Sequence, residues 1–264
     1  MPPRIDCHVH LDPIGGRARP SRQPGPTDSE FATYVQRHSL DAVWGIFEDR
    51  ATVERFDGVC RILPLYWVRD PEKYEIDPMA KGIKLHPYRD GWQVKPSVLS
   101  SLLSGLNPNA IVLIHCDDRS PETIEATRPA LIDPLARSFP ELVFVVGHSG
   151  SYAPNPAVQT RAARVGDETT RALVEEAILL AIARENVFLD TSVLVSRLKA
   201  ELLAGKAPHS KLLLGTDFPI GAYRSVTDYD REEQTLAELG VSVGLLRLNA
   251  AKLSVRAGLQ IELE

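Results

Sequence analysis

Two histidines, His8 and His10, stand on alternate residues of an apolar segment near the start of the chain, Ile5–His10. Alternate residues of a β-strand point to the same side, so a strand here would place both imidazoles together. Asp6 shares their parity and would lie behind them, where a carboxylate can orient a ligating imidazole. Two imidazoles alone do not define a metal site. The segment therefore predicts either part of a metal centre or a histidine pair on a solvated strand face.

Several later apolar runs also end in residues that can bind metal or transfer protons. Their polar ends are His86, His115, His148, Asp190 and Asp217. The runs are short and continuously apolar, which is typical of parallel strands that are covered on both faces. His38 and His209 lie outside this pattern, and we expect His38 to be a surface residue near the end of a helix.

The apolar runs alternate with helical patterns along the whole chain. The predicted strands are Ile5–His10, Ala42–Phe47, Arg61–Val68, Gly82–His86, Ala110–Cys116, Leu142–His148, Val187–Asp190 and Lys211–Asp217. The predicted helices are Thr27–His38, Thr52–Phe56, Pro96–Leu106, Pro121–Ser138, Asp167–Arg184, Val193–Leu203, Tyr229–Leu239 and Ser242–Ala257. Eight such strands in 264 residues favour an α/β fold, a closed (β/α)8 TIM barrel with extra C-terminal helices, as one domain over residues 1–264. Active sites of such barrels form where the strands end, so the polar residues should meet there.

Composition argues for a small-molecule substrate. The net charge of -5 and pI near 5.8 provide no basic surface for nucleic acid or an anionic membrane. The three cysteines, Cys7, Cys60 and Cys116, lie in or beside apolar runs and are expected to be reduced thiols. The first strand begins within four residues and no apolar run reaches about 20 residues, so we expect a cytoplasmic protein. Assembly into a homo-oligomer stays open.

Six motifs, taken together, resemble the amidohydrolase superfamily, and more closely its amidohydrolase-related branch of small metal-dependent hydrolases and decarboxylases. They occur in family order over nearly the whole chain. The matching segments are Ile5–His10, Gly82–Pro87, Ile114–Cys116, Val146–Gly150, Leu214–Pro219 and Asn249–Leu253.

The resemblance implies a metal centre held by His8, His10, His115 and Asp217. Imidazoles with one carboxylate suit Zn²⁺, and one such ion per chain is expected. Asp217 would also accept a proton from a metal-activated water. His148 would polarise the substrate carbonyl or stabilise the oxyanion, although in other branches of the family the matching residue is a ligand.

Lys84 shares parity with His86, so both should point into the barrel. In binuclear members of the superfamily a lysine on strand four is carbamylated and bridges two metals, which would give this chain a second metal. A free Lys84 ammonium would instead hold a substrate carboxylate or lie buried among acidic groups. His86 would contact the substrate or only end the strand before Pro87.

Loop residues near the strand ends supply the remaining candidates. Tyr88, Arg89 and Trp92 would form a wall for an anionic, planar substrate, or would be solvated loop residues. Asp190 would hydrogen-bond a metal-ligating histidine, the alternative being a helix N-cap formed with Thr191 or Ser192. Two loops would lie above the rim: the arginine-containing segment 12–26, and segment 149–166, which carries Tyr152, Arg161 and Arg164 and is a candidate lid.

These observations predict a metal-dependent hydrolase of a small amide, lactone or ester-like substrate. The alternative on the same scaffold is non-oxidative decarboxylation of an unsaturated or aromatic carboxylic acid, because the metal ligands would be shared. A non-catalytic binding barrel is the third reading, and the intact set of candidate ligands argues against it.

Overall fold

The computed structural model describes residues 1–14, 24–152, 167–220 and 228–262. Eight parallel strands pair in chain order. They are β1 (Ile5–His10), β2 (Ala42–Phe47), β3 (Arg61–Val68), β4 (Gly82–Leu85), β5 (Ile111–Ile114), β6 (Val143–Val146), β7 (Val187–Asp190) and β8 (Leu212–Leu213). The sheet closes on itself, because the N–H of Cys7 donates to the carbonyl of Leu214 and that of His10 to Phe218. The predicted TIM barrel is confirmed.

The described helices pack around this barrel or follow it. They are α1 (Asp28–Arg37), α2 (Arg50–Phe56), α3 (Pro87–Asp90), α4 (Pro96–Ser104), α5 (Pro121–Thr127), α6 (Asp133–Ser138), α7 (Asp167–Ala183), α8 (Arg197–Lys206), α9 (Tyr229–Glu238) and α10 (Val243–Arg256). The last two are the expected C-terminal helices, and α10 packs against β1 and β8. None of the described helices has the length and apolar composition to cross a bilayer.

Two predicted helices were wrong in their extent. The segment Pro121–Ser138 is interrupted at Arg128, whose extended backbone (ψ 144°) precedes Pro129, because a residue before proline disfavours the helical conformation. The helix expected from Val193 begins only at Arg197, since Val193 has a positive φ of 60° and Ser196 supplies the N-cap. The sequence also did not indicate α3, the short turn of helix that Pro87 opens directly after β4.

Strands β4, β5, β6 and β8 end before the polar residues that were predicted to close them. His86 and His115 are the first residues after their strands, whereas His148 and Asp217 lie further on. His148 and Asp217 have positive φ angles of 55° and 60°, which no strand residue adopts. These side chains therefore belong to the turns at the rim of the barrel.

A register shift in β1 decides which side chains of that strand enter the barrel. Asp6 is in register with Val43 and His10 with Ile46, and the pairing shifts by one residue between Asp6 and Val9. Val43 packs in the core layer beneath the helices, and Ile46 packs in a second cluster with the inward-facing apolar residues of the barrel. A bulge of this kind interrupts strict alternation. Asp6 therefore does not lie on the same face as the two histidines, and the predicted shared face is wrong.

Candidate metal centre

His8 is held by a carboxylate from the opposite side of the barrel. Its ring is fully buried, and Nδ1 donates to Asp190 Oδ2 over 2.7 Å. Because Asp190 fixes Nδ1 as the protonated nitrogen, Nε2 carries the lone pair that a metal can take. Burial alone would raise the pKa of Asp190, but His8 and Ser192 lower it to about 2. The predicted hydrogen bond between Asp190 and a candidate ligand is confirmed.

Asp217 faces both histidines of β1. Its Oδ1 lies 3.2 Å from His10 Nε2 and 3.4 Å from His8 Nε2. Burial acts to raise the pKa of Asp217, yet its contacts with His10 and His8 and the charge of Lys84 hold it below the usual value. Burial lowers the pKa of His10 to about 3. At neutral pH a carboxylate thus faces two imidazoles, one of which is firmly neutral.

His148 and His115 form a second pair beside the first. His148 Nε2 lies 3.0 Å from His115 Nδ1, and the other nitrogen of His148, Nδ1, lies 2.8 Å from Ser192 Oγ. Ser192 Oγ in turn donates to Asp190 Oδ2 over 2.5 Å, so its oxygen can accept from the His148 ring. With Nδ1 of His148 thus protonated, the lone pair of this ring is on Nε2, the nitrogen that faces His115 Nδ1. The pKa of His148 is well below its usual value, mainly because of burial.

The residues present fit a divalent metal. His8, His148 and Asp217 each offer a ligand atom within 4.8 Å of those of the other two, the one such group of three found among the described residues. Three ring nitrogens in the same region, His10 Nδ1, His86 Nδ1 and His115 Nε2, are buried with no hydrogen-bond partner among the described residues. The nearest carboxylate oxygen to His115 Nε2 is Asp117 Oδ2, at 3.5 Å. A set of imidazoles with one carboxylate matches the ligands of zinc. Of the predicted ligands, the structure brings His8, His10 and Asp217 into direct contact, and His115 adjoins them through His148.

Lys84 points into the same centre, as its parity predicted. It is fully buried, and its Nζ lies 3.0 Å from His8 Nε2. Burial lowers the pKa of Lys84 to about 8, while the charges of Asp217 and Asp190 act in the opposite direction. His86 is also buried, and its ring stacks on that of His115 at a centroid distance of 3.7 Å.

Asp6 and His38 differ from their predicted roles. Asp6 Oδ2 accepts a hydrogen bond from the Tyr34 hydroxyl of α1 (2.6 Å) and one from Thr216 (2.6 Å), so it anchors the strand rather than orienting an imidazole ring. Its pKa is raised by burial to about 6. His38 is buried rather than on the surface, and its Nδ1 lies 2.8 Å from Asp230 Oδ2 of α9.

Three arginines stand on the rim after β3, β4 and β5, and they differ in how they are paired. Arg69 binds Glu48 and Asp90, and Arg119 binds Asp117. Arg89 contacts the Ile14 carbonyl at 3.5 Å, and within the described residues it has no ion pair. Burial and the charge of Arg119 lower the pKa of Arg89. A partly buried guanidinium beside another cation is a binding group for an anion.

Other rim residues contact one another. Tyr152 is buried, and its ring packs edge-on against His148 at 4.8 Å. Trp92 donates to the Arg69 carbonyl over 3.3 Å, so it supports the rim from the side. Sequence reasoning missed Asp117 and Arg119; their adjacency to His115 was the available signal. Arg161 and Arg164 of the predicted lid, and residues 15–23 of the arginine-containing loop, lie outside the described residues.

Fold and site together define a TIM-barrel enzyme whose centre of histidines and aspartates lies where the strands end. The sequence model of the family described as amidohydrolase matches residues 5–253. The chain therefore belongs to the amidohydrolase family. No curated protein sequence matches it significantly.

Solved structures of low sequence identity share the fold over nearly their full length. One is a probable 2-pyrone-4,6-dicarboxylic acid hydrolase from Acinetobacter baumannii with citric acid bound, with a TM-score of 0.61, 14% identity, and coverage of 96% of this chain and 99% of that chain. An amidohydrolase from Burkholderia multivorans with bound zinc has a TM-score of 0.59 and 14% identity, covering 97% of this chain and 99% of that one. A 5-carboxyvanillate decarboxylase from Sphingomonas paucimobilis has a TM-score of 0.58 and 13% identity, with the same coverage.

Proposed function

We propose that this chain is a metal-dependent hydrolase that opens a small, anionic amide, lactone or ester-like substrate with one zinc ion per chain. The observation that carries the proposal is the approach of Asp217 Oδ1 to the Nε2 atoms of both His8 and His10, with the remaining nitrogen of His8 held by Asp190. A carboxylate partner behind a ligating imidazole is the usual arrangement at zinc sites.

In this proposal His8, His10, His115 and Asp217 hold the ion. His148, which adjoins His115, either polarises the substrate carbonyl or takes the place of His115 as a ligand, because their nitrogens lie only 3.0 Å apart. Parallel glutamine variants of His115 and His148 separate the two roles. The variant in which the metal ligand has been replaced should lose most of its zinc affinity. The variant in which the substrate-binding histidine has been replaced should retain zinc and lose turnover.

When bound, the ion supplies Lewis-acid activation and brings the pKa of water near 7. Asp217, a carboxylate at neutral pH, accepts the proton of the attacking water at an oxygen and can pass it to the leaving group. His148 is neutral there, with its N–H on Ser192 and its lone pair on Nε2. Donation to a substrate carbonyl or oxyanion would therefore require the proton to move to Nε2. The buried walls around these groups keep the local dielectric low, which strengthens each of these interactions.

Arg89, with Tyr88 beside it, is proposed to receive the anionic group of the substrate. The two other arginines described at the rim, Arg69 and Arg119, already have carboxylate partners, whereas Arg89 is partly buried and stands three residues after His86. An Arg89→Met variant should raise KM for an anionic substrate by about 10- to 100-fold, the loss of one charge-assisted contact, with a smaller effect on kcat. An equal effect on a neutral ester would contradict this role.

Decarboxylation is the competing function, because one structural neighbour is named as a decarboxylase and another as a hydrolase. The deciding experiment incubates zinc-loaded protein with a panel of small lactone, ester and aromatic carboxylate substrates in H₂¹⁸O. Uptake of ¹⁸O into product without CO₂ release supports hydrolysis, and CO₂ release without ¹⁸O uptake supports the decarboxylase. Protein that folds but binds no divalent metal would refute both.

A further inference from the structure

Lys84 places a buried amino group against the metal-facing side of His8. Its side chain is fully buried, and Nζ lies 3.0 Å from His8 Nε2. Within the described residues, His8 is the hydrogen-bond partner of this group, and no carboxylate oxygen forms an ion pair with it. A buried lysine without a paired carboxylate is costly unless its position has a use.

The nitrogen that Lys84 contacts is the one that a metal would need. Asp190 accepts from His8 Nδ1 at 2.7 Å, so the only lone pair of the ring is on Nε2. An ammonium that donates to this lone pair and a metal that binds it cannot both do so. The charges also oppose each other, because the ammonium would stand within a few ångströms of a divalent cation.

We propose that Lys84 is an internal cation that competes with the metal for His8 and thereby lowers the metal affinity of the centre. The proposal rests on the metal centre described under the proposed function. It differs from both predicted functional roles of Lys84, as a carbamylated bridging ligand and as a substrate anchor, because it assigns the residue an action against metal binding. As a consequence, the ion is weakly bound, and the zinc occupancy of the protein depends on the free zinc concentration.

The effect should be large enough to measure. Repulsion between a unit charge and a dication about 4 Å apart is strong even at an effective dielectric constant of about 20. The flexible lysine can swing away and relieve most of it, so we expect a change of about 100-fold in the zinc dissociation constant, and at least tenfold. Removing the charge should tighten binding by that factor.

The test compares the wild-type protein with Lys84→Met and Lys84→Arg. Each protein is stripped of metal and titrated with Zn²⁺ against a chromophoric chelator at fixed pH, and the bound metal is counted by native mass spectrometry. The proposal expects the methionine variant to bind zinc about 100-fold more tightly, with the stoichiometry unchanged. The arginine variant keeps the charge and should not gain affinity.

Lys199→Met is the matched control. Lys199 is equally buried, but its Nζ donates to the carbonyls of Ser151 and Ser192 (3.2 and 3.0 Å) rather than to a histidine. Removing this buried charge should not tighten zinc binding. A similar gain in both methionine variants would attribute the effect to general loss of buried charge and would overturn the proposal.

Other outcomes are equally informative. Unchanged affinity in Lys84→Met overturns the proposal, and lost affinity or lost stoichiometry shows instead that Lys84 is a ligand. If Lys84→Met does not fold, the structure of the zinc-loaded wild-type protein tests the proposal instead. The proposal expects Lys84 Nζ to have left His8 Nε2 and to carry no carbamate, and an Nζ still at 3 Å or a carbamate overturns it.

The inference and the proposed function can fail separately. Wild-type protein that binds zinc with no gain in Lys84→Met refutes only the role of Lys84. Wild-type protein that binds no zinc, together with a methionine variant that does, supports the competition and refutes metal-dependent catalysis in the native chain. Absence of zinc binding in all variants refutes both.

Discussion

Asp190→Asn removes one charge from the group that holds His8 and leaves the shape of the side chain nearly unchanged. Oδ2 of Asp190 accepts from His8 Nδ1 (2.7 Å), from Ser192 Oγ (2.5 Å) and from the His148 amide (3.1 Å). Oδ1 accepts from the Ser192 amide at 2.9 Å. In either orientation, the amide NH₂ of asparagine would face a donor. The buried mismatch should destabilise the fold by about 1 to 3 kcal/mol.

The pH dependence of this cost has a definite sign. The pKa of Asp190 falls from 3.8 to about 2 in the folded protein. A depressed carboxyl pKa contributes stability that is fully present above the unfolded value and is lost as the pH falls through the folded one. The shift corresponds to about 2 kcal/mol. In urea unfolding of metal-free protein, the advantage of wild type over Asp190→Asn should be constant above pH 4 and shrink towards pH 2.

Metal binding gives the sharper readout. Loss of a carboxylate behind a ligating histidine typically lowers metal affinity by about 10- to 100-fold, so zinc titration of Asp190→Asn should show a loss of that size. Asp90→Asn is the control, because Asp90 is a buried rim carboxylate that accepts from Trp67 and Arg69 (3.0 and 3.1 Å). Wild-type zinc affinity in Asp190→Asn, or an equal loss in Asp90→Asn, would refute the assignment of His8 as a ligand oriented by Asp190.

Three further predictions test neighbouring groups. Gly215→Ala would bring a Cβ into steric overlap with Asp190 Oδ1, so we expect about 1 to 3 kcal/mol lower stability and weaker zinc binding. Gly205→Ala, whose added Cβ meets nothing within 4 Å, should show neither effect in the same melts and titrations. Asp217→Asn should lower kcat by at least about 10²- to 10⁴-fold in zinc-saturated protein, and turnover within a few fold of wild type would exclude its role as a base. Burial raises the pKa of Asp90 to about 6, so the contribution of Asp90 to folding stability is fully present below pH 3.8 and is lost as the pH rises through 6. In unfolding titrations over that range, the wild-type protein should lose up to about 3 kcal/mol of stability relative to Asp90→Asn. A stability difference that does not vary with pH would contradict this prediction.

The barrel could be predicted from the sequence because its strands are buried on both faces. A parallel strand inside a layer of helices must be apolar at nearly every position, so each strand is visible as a short apolar run. Polar residues directly after such runs can then only lie at the rim. This local pattern was sufficient to place His86, His115 and Asp217 around one centre with His8 and His10.

Strand and helix ends were less predictable because they depend on single backbone angles. The positive φ values of His148, Asp217 and Val193 end or delay elements within otherwise regular patterns. A side chain other than glycine adopts such angles only where the surrounding structure compensates for the strain. That compensation comes from contacts distant in sequence, and no window of sequence contains it.

Only the tertiary structure decided which groups touch. The shift in register of β1 against β2 directed Asp6 to Tyr34 on α1 instead of to the histidines, because strand pairing depends on the neighbour as well as on the strand. Lys84 meets His8 across 76 residues of chain. The types of residues at the centre follow from the sequence, but their pairing follows from how the barrel closes.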